Sequence, residues 1–357
     1  MPRQTYFFLP LIIILLVLQS ACTAAAPTAM SEATSLPSEA SAPAPNEIIF
    51  GLDWAFVGQH VPFFVALDKG FWEEEGVTVE VVRGYGSADA VQKVAAGSTT
   101  IGYGDTGSLI VGRTEGVDVK LIGMVLGLPP HAVIYQMDQP IDSPVDLEGK
   151  KIGAAAGDSV RRVFPAFAKI AGFDVEKVEF VTIGYEIYSA ELLSGRINGL
   201  AEYYAAKPNY DRTANENDVE LGILKFSDYG FDIYSNGFLA KESFVTENPE
   251  TVKAFLKGVY RGFAYAYENP DESVDIMLKY APTLERDVIK EQFLLDKPAV
   301  LNADVLANGY GYIDADKMQH TIDAMIVAYE LSENIPTPEE MYTIDFLPSK
   351  DEIPPVE

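Results

Sequence analysis

The sequence has 357 residues but only one cysteine and three histidines, and this scarcity excludes several kinds of chemistry. A single cysteine, Cys22, cannot form an intramolecular disulfide or a cysteine-based metal site. His60, His131 and His320 are too widely spaced to suggest a zinc motif, and no HExxH occurs. We therefore expect neither a disulfide scaffold nor a metal site, and no cofactor is expected.

Basic side chains are also scarce, with 26 Lys and Arg against 53 Asp and Glu and a formal net charge of −27. Such a surface repels nucleic acid, and it does not draw in anions over a long range. A neutral or cationic small ligand fits this charge balance better than sulfate or phosphate does. No internal period stands out, so a repeat architecture is not expected.

The amino terminus carries the one long apolar run of the sequence, residues 7–18, preceded by Arg3. A basic residue, a short apolar run and small residues before Cys22 are the layout of an export signal, not of a membrane-spanning helix. Residues 18–22, Leu-Gln-Ser-Ala-Cys, resemble a bacterial lipobox, which implies cleavage before Cys22 and lipidation of its thiol. We expect 1–21 to be a lipoprotein signal peptide, and Cys22 to anchor the protein at the extracytoplasmic face of the cell membrane. An ordinary signal peptide with an incidental cysteine is the alternative.

Residues 22–45 are rich in Ala, Ser, Thr, Pro and Glu and contain almost no large apolar side chain, which predicts a disordered tether. About 310 residues follow, more than one small core usually organises, so two globular lobes are expected. Strand, turn and helix signals alternate, which is typical of an α/β fold with largely parallel sheets. The same pattern restarts near residue 146. The predicted lobes are 46–135 plus 236–357 and 136–235, with a ligand cleft between them.

One helix of the later region is predicted by its apolar spacing. The residues that share one face of this helix are Val252, Phe255, Leu256, Val259, Tyr260, Phe263 and Tyr267. This stripe is interpreted as core packing and not as a cofactor site.

Several short motifs, taken in order, resemble one family of proteins. They are Leu52-Asp53-Trp54, His60-Val61-Pro62-Phe63, Lys69-Gly70-Phe71-Trp72, Glu75-Gly76-Val77, the run from Asp146 to Gly153, and the run from Leu193 to Gly199. Together they resemble solute-binding proteins related to thiamine-pyrimidine synthases, including binders of formylaminopyrimidine and riboflavin. The resemblance covers residues 46 to 330. Each motif alone is weak, but their order is specific.

The resemblance implies a two-lobe periplasmic-binding-protein fold of the second type, serving an ABC permease and its ATPase as a monomer. It also implies a ligand ring stacked on Trp54 between the lobes, with helix starts at 85–88, 105–108 and 157–159 facing the cleft. The ligand-binding residues expected on this basis are Asp53, Trp54, His60, Ser87, Asp105, Thr106, Ser159, Tyr185, Glu202 and Tyr203. Asp53, Asp105 and Glu202 would accept hydrogen bonds from ring N–H groups, and Thr106 and Ser159 would meet carbonyls.

The ligand prediction depends on one departure from the family pattern. Binders of formylaminopyrimidine tend to carry Pro-Asn shortly after the tryptophan, whereas residues 55–58 here read Ala-Phe-Val-Gly. We therefore favour riboflavin, a neutral flat ring with a polyol tail, and keep formylaminopyrimidine as the alternative. A nitrate, bicarbonate or sulfonate binder with this fold is a further alternative, which Arg161 and Arg162 near a helix start keep open.

Two enzyme interpretations are weaker. The synthases of this family draw on a histidine of their own chain, and His60 occupies a matching His-x-Pro. Their cysteine-rich segment is missing here, so catalysis is not expected and His60 is interpreted as a ligand contact or a structural histidine. Asp105-Thr106-Gly107 matches the aspartic-protease tripeptide, but only one copy occurs, so a helix cap is the better interpretation.

Overall fold

The structure, a computed structural model, describes residues 46–155 and 158–356, which are organised on two five-stranded sheets. The signal peptide, the tether and Cys22 lie outside the described residues, so these predictions stand as made. The first sheet has the order β2-β1-β3-β10-β4. Its strands are β1 (Glu47–Gly51), β2 (Thr78–Val82), β3 (Ile101–Asp105), β4 (Val119–Met124) and β10 (Asn236–Lys241).

The second sheet has the order β7-β6-β8-β5-β9. Its strands are β5 (His131–Gln136), β6 (Lys151–Ala154), β7 (Glu179–Thr182), β8 (Gly199–Tyr203) and β9 (Leu221–Lys225). In each sheet three neighbouring strands are parallel, and one strand, β10 or β5, runs antiparallel to both of its neighbours. These two antiparallel strands are the ones that enter their sheet directly from the other sheet, so the predicted parallel character holds for the rest.

Helices cover both sheets. Those of the described residues are α1 (Val61–Asp68), α2 (Phe71–Glu74), α3 (Ser87–Ala96), α4 (Thr106–Thr114), α5 (Ser159–Ala171), α6 (Tyr188–Leu193), α7 (Lys207–Asn215), α8 (Glu242–Glu247), α9 (Pro249–Glu268), α10 (Pro270–Tyr280), α11 (Arg286–Leu295), α12 (Lys297–Val300), α13 (Ala303–Asn308), α14 (Ala315–Tyr329) and α15 (Pro338–Met341). None of these helices is long and apolar enough to cross a membrane.

An aromatic core lies between the first sheet and α1, α2 and α9. Phe50 packs edge-on against Phe63 and Phe255, and Trp72 stacks on Phe255 with ring centres 5.6 Å apart. All seven residues of the predicted apolar stripe on α9 are buried, so their interpretation as core packing is confirmed.

The second sheet has its own aromatic core beneath α5. Phe167 stacks on Phe226 with ring centres 3.8 Å apart, and Phe164 meets Phe226 edge-on. Helix α14 packs against both α5 and α4, so it joins the helical layers of the two sheets.

The chain passes twice between the sheets, through residues 125–130 and 226–235. These crossovers are hydrogen-bonded to each other, because Leu126 N–H donates to the Asn236 carbonyl (2.8 Å) and Ser235 N–H donates to the Leu126 carbonyl (3.1 Å). β5 pairs with β8 and β9, which moves residues 131–135 from the first lobe, where the sequence placed them, to the second sheet. The apolar sequence of β5 does not indicate which sheet it joins, since a buried strand has the same apolar pattern in either sheet. The other lobe limits remain a proposal.

Candidate ligand cleft

The turn after β1 presents Trp54 and fixes Asp53. Trp54 is 47% exposed, an unusual position for so large an apolar ring, whereas the Asp53 carboxylate is buried. That carboxylate accepts hydrogen bonds from the Asn236 side chain (2.7 Å) and the Gln59 side chain (3.2 Å), and it contacts Nε2 of His60 (2.8 Å). Asp53 is thus held by three protein groups, while the face of Trp54 is open to a flat ligand.

His60 is completely buried and both of its ring nitrogens are engaged. The Val57 N–H donates to Nδ1 (3.3 Å), so Nδ1 is an acceptor. Nε2 then carries the ring proton and donates a hydrogen bond to Asp53. The ring also stacks on Phe63, with centres 5.7 Å apart. Of the two interpretations of His60, this geometry favours the structural histidine.

The start of α3 approaches the turn after β1 through two glycines. A Cβ at Gly84 would lie 1.9 Å from the Leu52 carbonyl oxygen, so only glycine fits there. Gly86 has φ 127° and donates its N–H to the Asp53 carbonyl (2.6 Å). Ser87, half-buried, is the first residue of α3 and lies beside this junction.

The start of α4 uses Asp105 as its N-cap. The Asp105 side chain accepts from the Ser108 N–H (2.9 Å), and burial raises the pKa of this carboxyl to about 6. Thr106 is fully buried and its hydroxyl donates to the Ser235 carbonyl (2.6 Å). The helix-cap interpretation of Asp105 is confirmed, and the Thr106 hydroxyl proton is already used within the fold.

Ser159 and Tyr203 come together on the second sheet. Ser159, the first residue of α5, donates its hydroxyl to the Tyr203 hydroxyl (3.2 Å) at the end of β8. Asp158 caps the same helix by accepting from the Arg161 N–H (2.9 Å). Gly157, part of the predicted helix start, lies outside the described residues.

The Glu202 carboxylate is hydrogen-bonded to residues that follow it closely in the sequence. One carboxylate oxygen accepts from the Tyr203 N–H (2.8 Å) and the other from the Tyr210 hydroxyl (2.8 Å). Burial, with a smaller contribution from the Asp158 carboxylate, raises the pKa of Glu202 to about 7. Tyr185 is 54% exposed, with its ring 5.2 Å from that of Tyr188, at the second-sheet edge of the same region.

Groups from the two sheets face each other across one space. The pKa of the Tyr203 hydroxyl is raised by burial and, next, by the negative charge of Asp105, with Asp53 also contributing. The pKa of the Tyr329 hydroxyl, at the end of α14, is raised by burial and by the charges of Asp105 and Asp158. Carboxylates of the first sheet therefore lie near the Tyr203 and Tyr329 hydroxyls, and we take this region as the candidate cleft.

The cleft is acidic, and its side chains include both hydrogen-bond donors and acceptors. Its carboxyl groups with pKa values near 6 to 7 change between acceptor and donor around neutral pH. Arg162 lies over the Tyr329 ring (5.6 Å), and Arg161 donates to the Thr182 hydroxyl (2.8 Å). No cluster that could hold a metal occurs among the described residues. A depression of about 370 Å³ on α11, lined by Asp287, Lys290, Glu291, Leu294 and Leu295, contains none of these cleft groups.

Sequence reasoning missed three groups beside the predicted residues. Asn236 binds Asp53 from 183 positions away, and Tyr210 binds Glu202 from the following helix. Asp296, from the junction of α11 and α12, is buried, and α11 packs on the 3-10 helix Gly58–His60 that follows the turn after β1. No local motif marks these positions, because their roles arise only when the second crossover and the late helices return to the first sheet.

Two mixed α/β sheets joined by two crossovers, with a cleft at the helix starts, define the two-lobe periplasmic-binding-protein fold of the second type. The periplasmic aliphatic sulphonate binding protein SsuA from Escherichia coli has the same fold, with a TM-score of 0.69, 14% identity, and coverage of 86% of this chain and 95% of that one. The predicted fold class is confirmed.

The chain belongs to the NMT1/THI5 like family, whose model matches residues 57–273, and the predicted family relationship is confirmed. It is 27% identical to the riboflavin-binding protein RibY of Chloroflexus aurantiacus over 350 residues, 94% of this chain and 96% of that protein. It is also 27% identical to the formylaminopyrimidine-binding protein of Halalkalibacterium halodurans over 228 residues, 64% of this chain and 68% of that protein.

Enzymes occur among the relatives as well. The 4-amino-5-hydroxymethyl-2-methylpyrimidine phosphate synthase of Legionella pneumophila is 25% identical over 247 residues, 69% of this chain and 78% of that protein. Family membership alone therefore leaves both binding and synthesis open.

Proposed function

We propose that this protein is the solute-binding component of an ABC importer, captures riboflavin outside the cell membrane, and closes its two lobes over the flavin ring. The observation that carries the proposal is the pairing of an exposed Trp54 with a cleft of mostly acidic groups. A flat, neutral ring with alternating carbonyl and N–H groups matches an aromatic face flanked by carboxyl and hydroxyl groups. The match to RibY over nearly the whole of both chains supports the same ligand.

The proposed contacts follow the positions of the side chains. Trp54 stacks on the ring, Glu202 and Asp105 exchange hydrogen bonds with its polar edge, and Tyr203 with Ser159 closes from the second lobe. Tyr185 and Ser87 lie at the margins of the same space. In this proposal Asp53, His60 and the Thr106 hydroxyl orient the first-lobe turn without touching the ligand.

We propose that the protein binds its ligand without catalysis, because both ring nitrogens of His60 are engaged within the fold and neither is free to react. A histidine that serves as a reagent needs an accessible ring, whereas His60 is fully buried between Val57 and Asp53. A protein that only binds is expected to return its ligand unchanged after denaturation, which mass spectrometry of the released ligand checks.

The test of the ligand is a calorimetric titration of the purified protein with riboflavin and, separately, with formylaminopyrimidine. A riboflavin response in the micromolar range or tighter, with quenching of flavin fluorescence, supports the proposal. A calorimetric response to formylaminopyrimidine and none to riboflavin would favour the alternative function, a formylaminopyrimidine-binding protein like the Halalkalibacterium relative. Competition by sulfonate or nitrate would favour the anion binders, against which the acidic cleft argues.

Membrane attachment through Cys22 is part of the proposal and has its own test. Full-length protein expressed in a bacterium is separated between detergent and aqueous phases. Because an uncleaved signal peptide would also enter the detergent phase, the readout is incorporation of labelled palmitate. The wild-type chain is expected to take up the label and Cys22→Ser is not, with Ser31→Ala as a control in the same region that keeps the cysteine. Equal labelling of all three would contradict lipid anchoring.

A further inference from the structure

Two buried polar atoms of the first lobe have no hydrogen-bond partner among the residues that the structure describes. They are Oδ1 of Asp296 and the hydroxyl of Tyr103. Asp296 is 3% exposed and Tyr103 is completely buried. Leaving a buried polar group without a hydrogen bond is costly, so each atom calls for a partner that the described residues do not supply.

The two atoms belong to one neighbourhood. The charge of Asp296, together with that of Asp53, raises the pKa of Tyr103, in addition to the main effect of burial. Tyr103 lies on β3 and packs edge-on against Phe63 and His60, so its hydroxyl end is fixed within the first lobe. Asp296 lies at the end of α11, which packs against the 3-10 helix that ends at His60.

The second lobe completes this neighbourhood. Burial raises the pKa of Asp296, and the Tyr204 hydroxyl, just after β8, partly offsets this rise. The Lys225 ammonium lies 4.6 Å from the centre of the Tyr204 ring. Asp296 therefore has neighbours from both lobes, Tyr103 from its own and Tyr204 and Lys225 from the other.

The titratable and charged groups around this space are acidic or phenolic apart from one lysine. Asp53, Tyr103, Tyr204, Tyr267 and Lys225 act on Asp296 or are acted on by it. Burial raises the pKa of Asp296 to about 7. A carboxyl acceptor beside a phenol, with the one lysine ammonium lying over the Tyr204 ring, suits an uncharged hydroxyl that can donate and accept at once.

We infer that Asp296 and Tyr103 form a hydroxyl-binding subsite at the floor of the cleft, which takes the polyol tail of the ligand while the ring stacks on Trp54. This inference rests on the proposed function and deepens it, because it assigns the tail as well as the ring. A tail hydroxyl donates to Asp296 and accepts from Tyr103, which satisfies both atoms. It also gives the cleft a preference for a ring that carries a polyol over the same ring without one.

The test compares riboflavin with lumiflavin, which has the same ring and a methyl group in place of the tail. The purified wild-type protein is expected to bind riboflavin at least about tenfold more tightly than lumiflavin, because the tail supplies hydrogen bonds to two buried atoms that otherwise have none. Asp296→Asn and Tyr103→Phe are each expected to reduce this preference severalfold or more while leaving lumiflavin affinity unchanged. Tyr310→Phe removes another buried, unpartnered hydroxyl and is expected to change neither affinity.

The outcomes separate the two levels of the proposal. If the wild-type protein binds both flavins equally, or if the variants lose affinity for both by the same factor, the tail subsite is wrong and flavin binding stands. If the wild-type protein binds neither flavin, the ligand assignment and the subsite fall together. If Asp296→Asn does not fold, Tyr103→Phe and the wild-type ratio still decide the matter.

Discussion

The two tryptophans of the chain occupy opposite environments, and the contrast yields a prediction. Trp72 is buried and donates Nε1–H to the Phe255 carbonyl (3.0 Å), whereas Trp54 is largely exposed on the turn after β1. Trp54→Ala is expected to weaken riboflavin binding about tenfold, because it removes a stacking face worth ~0.5–1.5 kcal/mol together with its buried area. Calorimetry measures the affinity, and thermal unfolding should show little change.

Trp72→Phe is the matched control for this prediction. It keeps an aromatic ring in the core but loses the hydrogen bond to Phe255 and some packing, so stability should fall while affinity stays constant. This variant also leaves Trp54 as the one tryptophan of the chain, whose fluorescence then reports on the ligand directly. Unchanged affinity in Trp54→Ala would remove the stacking role.

A second residue-scale prediction concerns Glu202 and pH. Burial, assisted by Asp158, raises its pKa from 4.5 to about 7, so the folded state favours the protonated form. The stabilising contribution is therefore fully present below the unfolded pKa and is lost as pH rises through about 7. Glu202→Gln is expected to lose less stability than the wild-type protein between about pH 5 and pH 8, by on the order of 1 kcal/mol.

Urea unfolding at several pH values measures this slope. Glu186→Gln, an exposed glutamate of the neighbouring 3-10 helix, is the matched control and should retain the wild-type pH dependence. Parallel slopes for wild type and Glu202→Gln would show that Glu202 titrates alike in the folded and unfolded states.

At the scale of elements, local sequence signals located the strands and turns well. The sequence alone predicts a strand over residues 119–124, which the structure has with the same limits. It also predicts a helix from Ala88 to Ala96, and the observed helix α3 begins one residue earlier, at Ser87. Such elements are specified locally, by β-branched runs and by glycines such as Gly97 that end a helix in the left-handed region. The local sequence does not specify which strand or residue an element pairs with. The sheet that β5 joins and the contact between Asp53 and Asn236 therefore could not be predicted.

The packing of α9 on α1 gives an element-scale prediction. A Cβ at Gly262 would lie 2.5 Å from the Pro62 carbonyl oxygen and 2.9 Å from Cβ of Ala66, so the two helices must separate to admit it. Gly262→Ala is expected to destabilise the fold by ~1–3 kcal/mol, despite the higher helix propensity of alanine. Urea unfolding measures the loss.

A second glycine serves as the control. At Gly112 in α4 the nearest atom to an added Cβ is a side-chain methyl of Val91 at 3.1 Å, which can move, so Gly112→Ala should be close to neutral or stabilising. Equal effects at both glycines would indicate that α9 and α1 are less tightly packed than the structure shows.

On the scale of the whole molecule, the lobes are joined by two hydrogen-bonded crossovers and by α14, which packs on both α4 and α5. Arg212 on α7 pairs with Glu285 at the start of α11, and Lys317 on α14 pairs with Asp232 in the second crossover. Asp232, Arg212 and Glu285 are exposed, so each pair contributes modestly, about 1 kcal/mol or less. These exposed pairs therefore add only a weak bias toward closure to the contacts that α14 makes with α4 and α5.

This weak bias predicts the outcome of a charge-reversal cycle on the pair that spans the lobes. Arg212→Glu places two carboxylates together and is expected to open the ligand-free protein, which raises its radius of gyration in small-angle X-ray scattering and weakens riboflavin binding two- to fivefold. Glu285→Arg should do the same with two cations. The double variant restores the attraction and should recover both measurements, whereas a double variant as weak as either single change would mean that the pair does not hold the lobes together. High salt should shrink every difference in the cycle, because the charges are exposed to solvent.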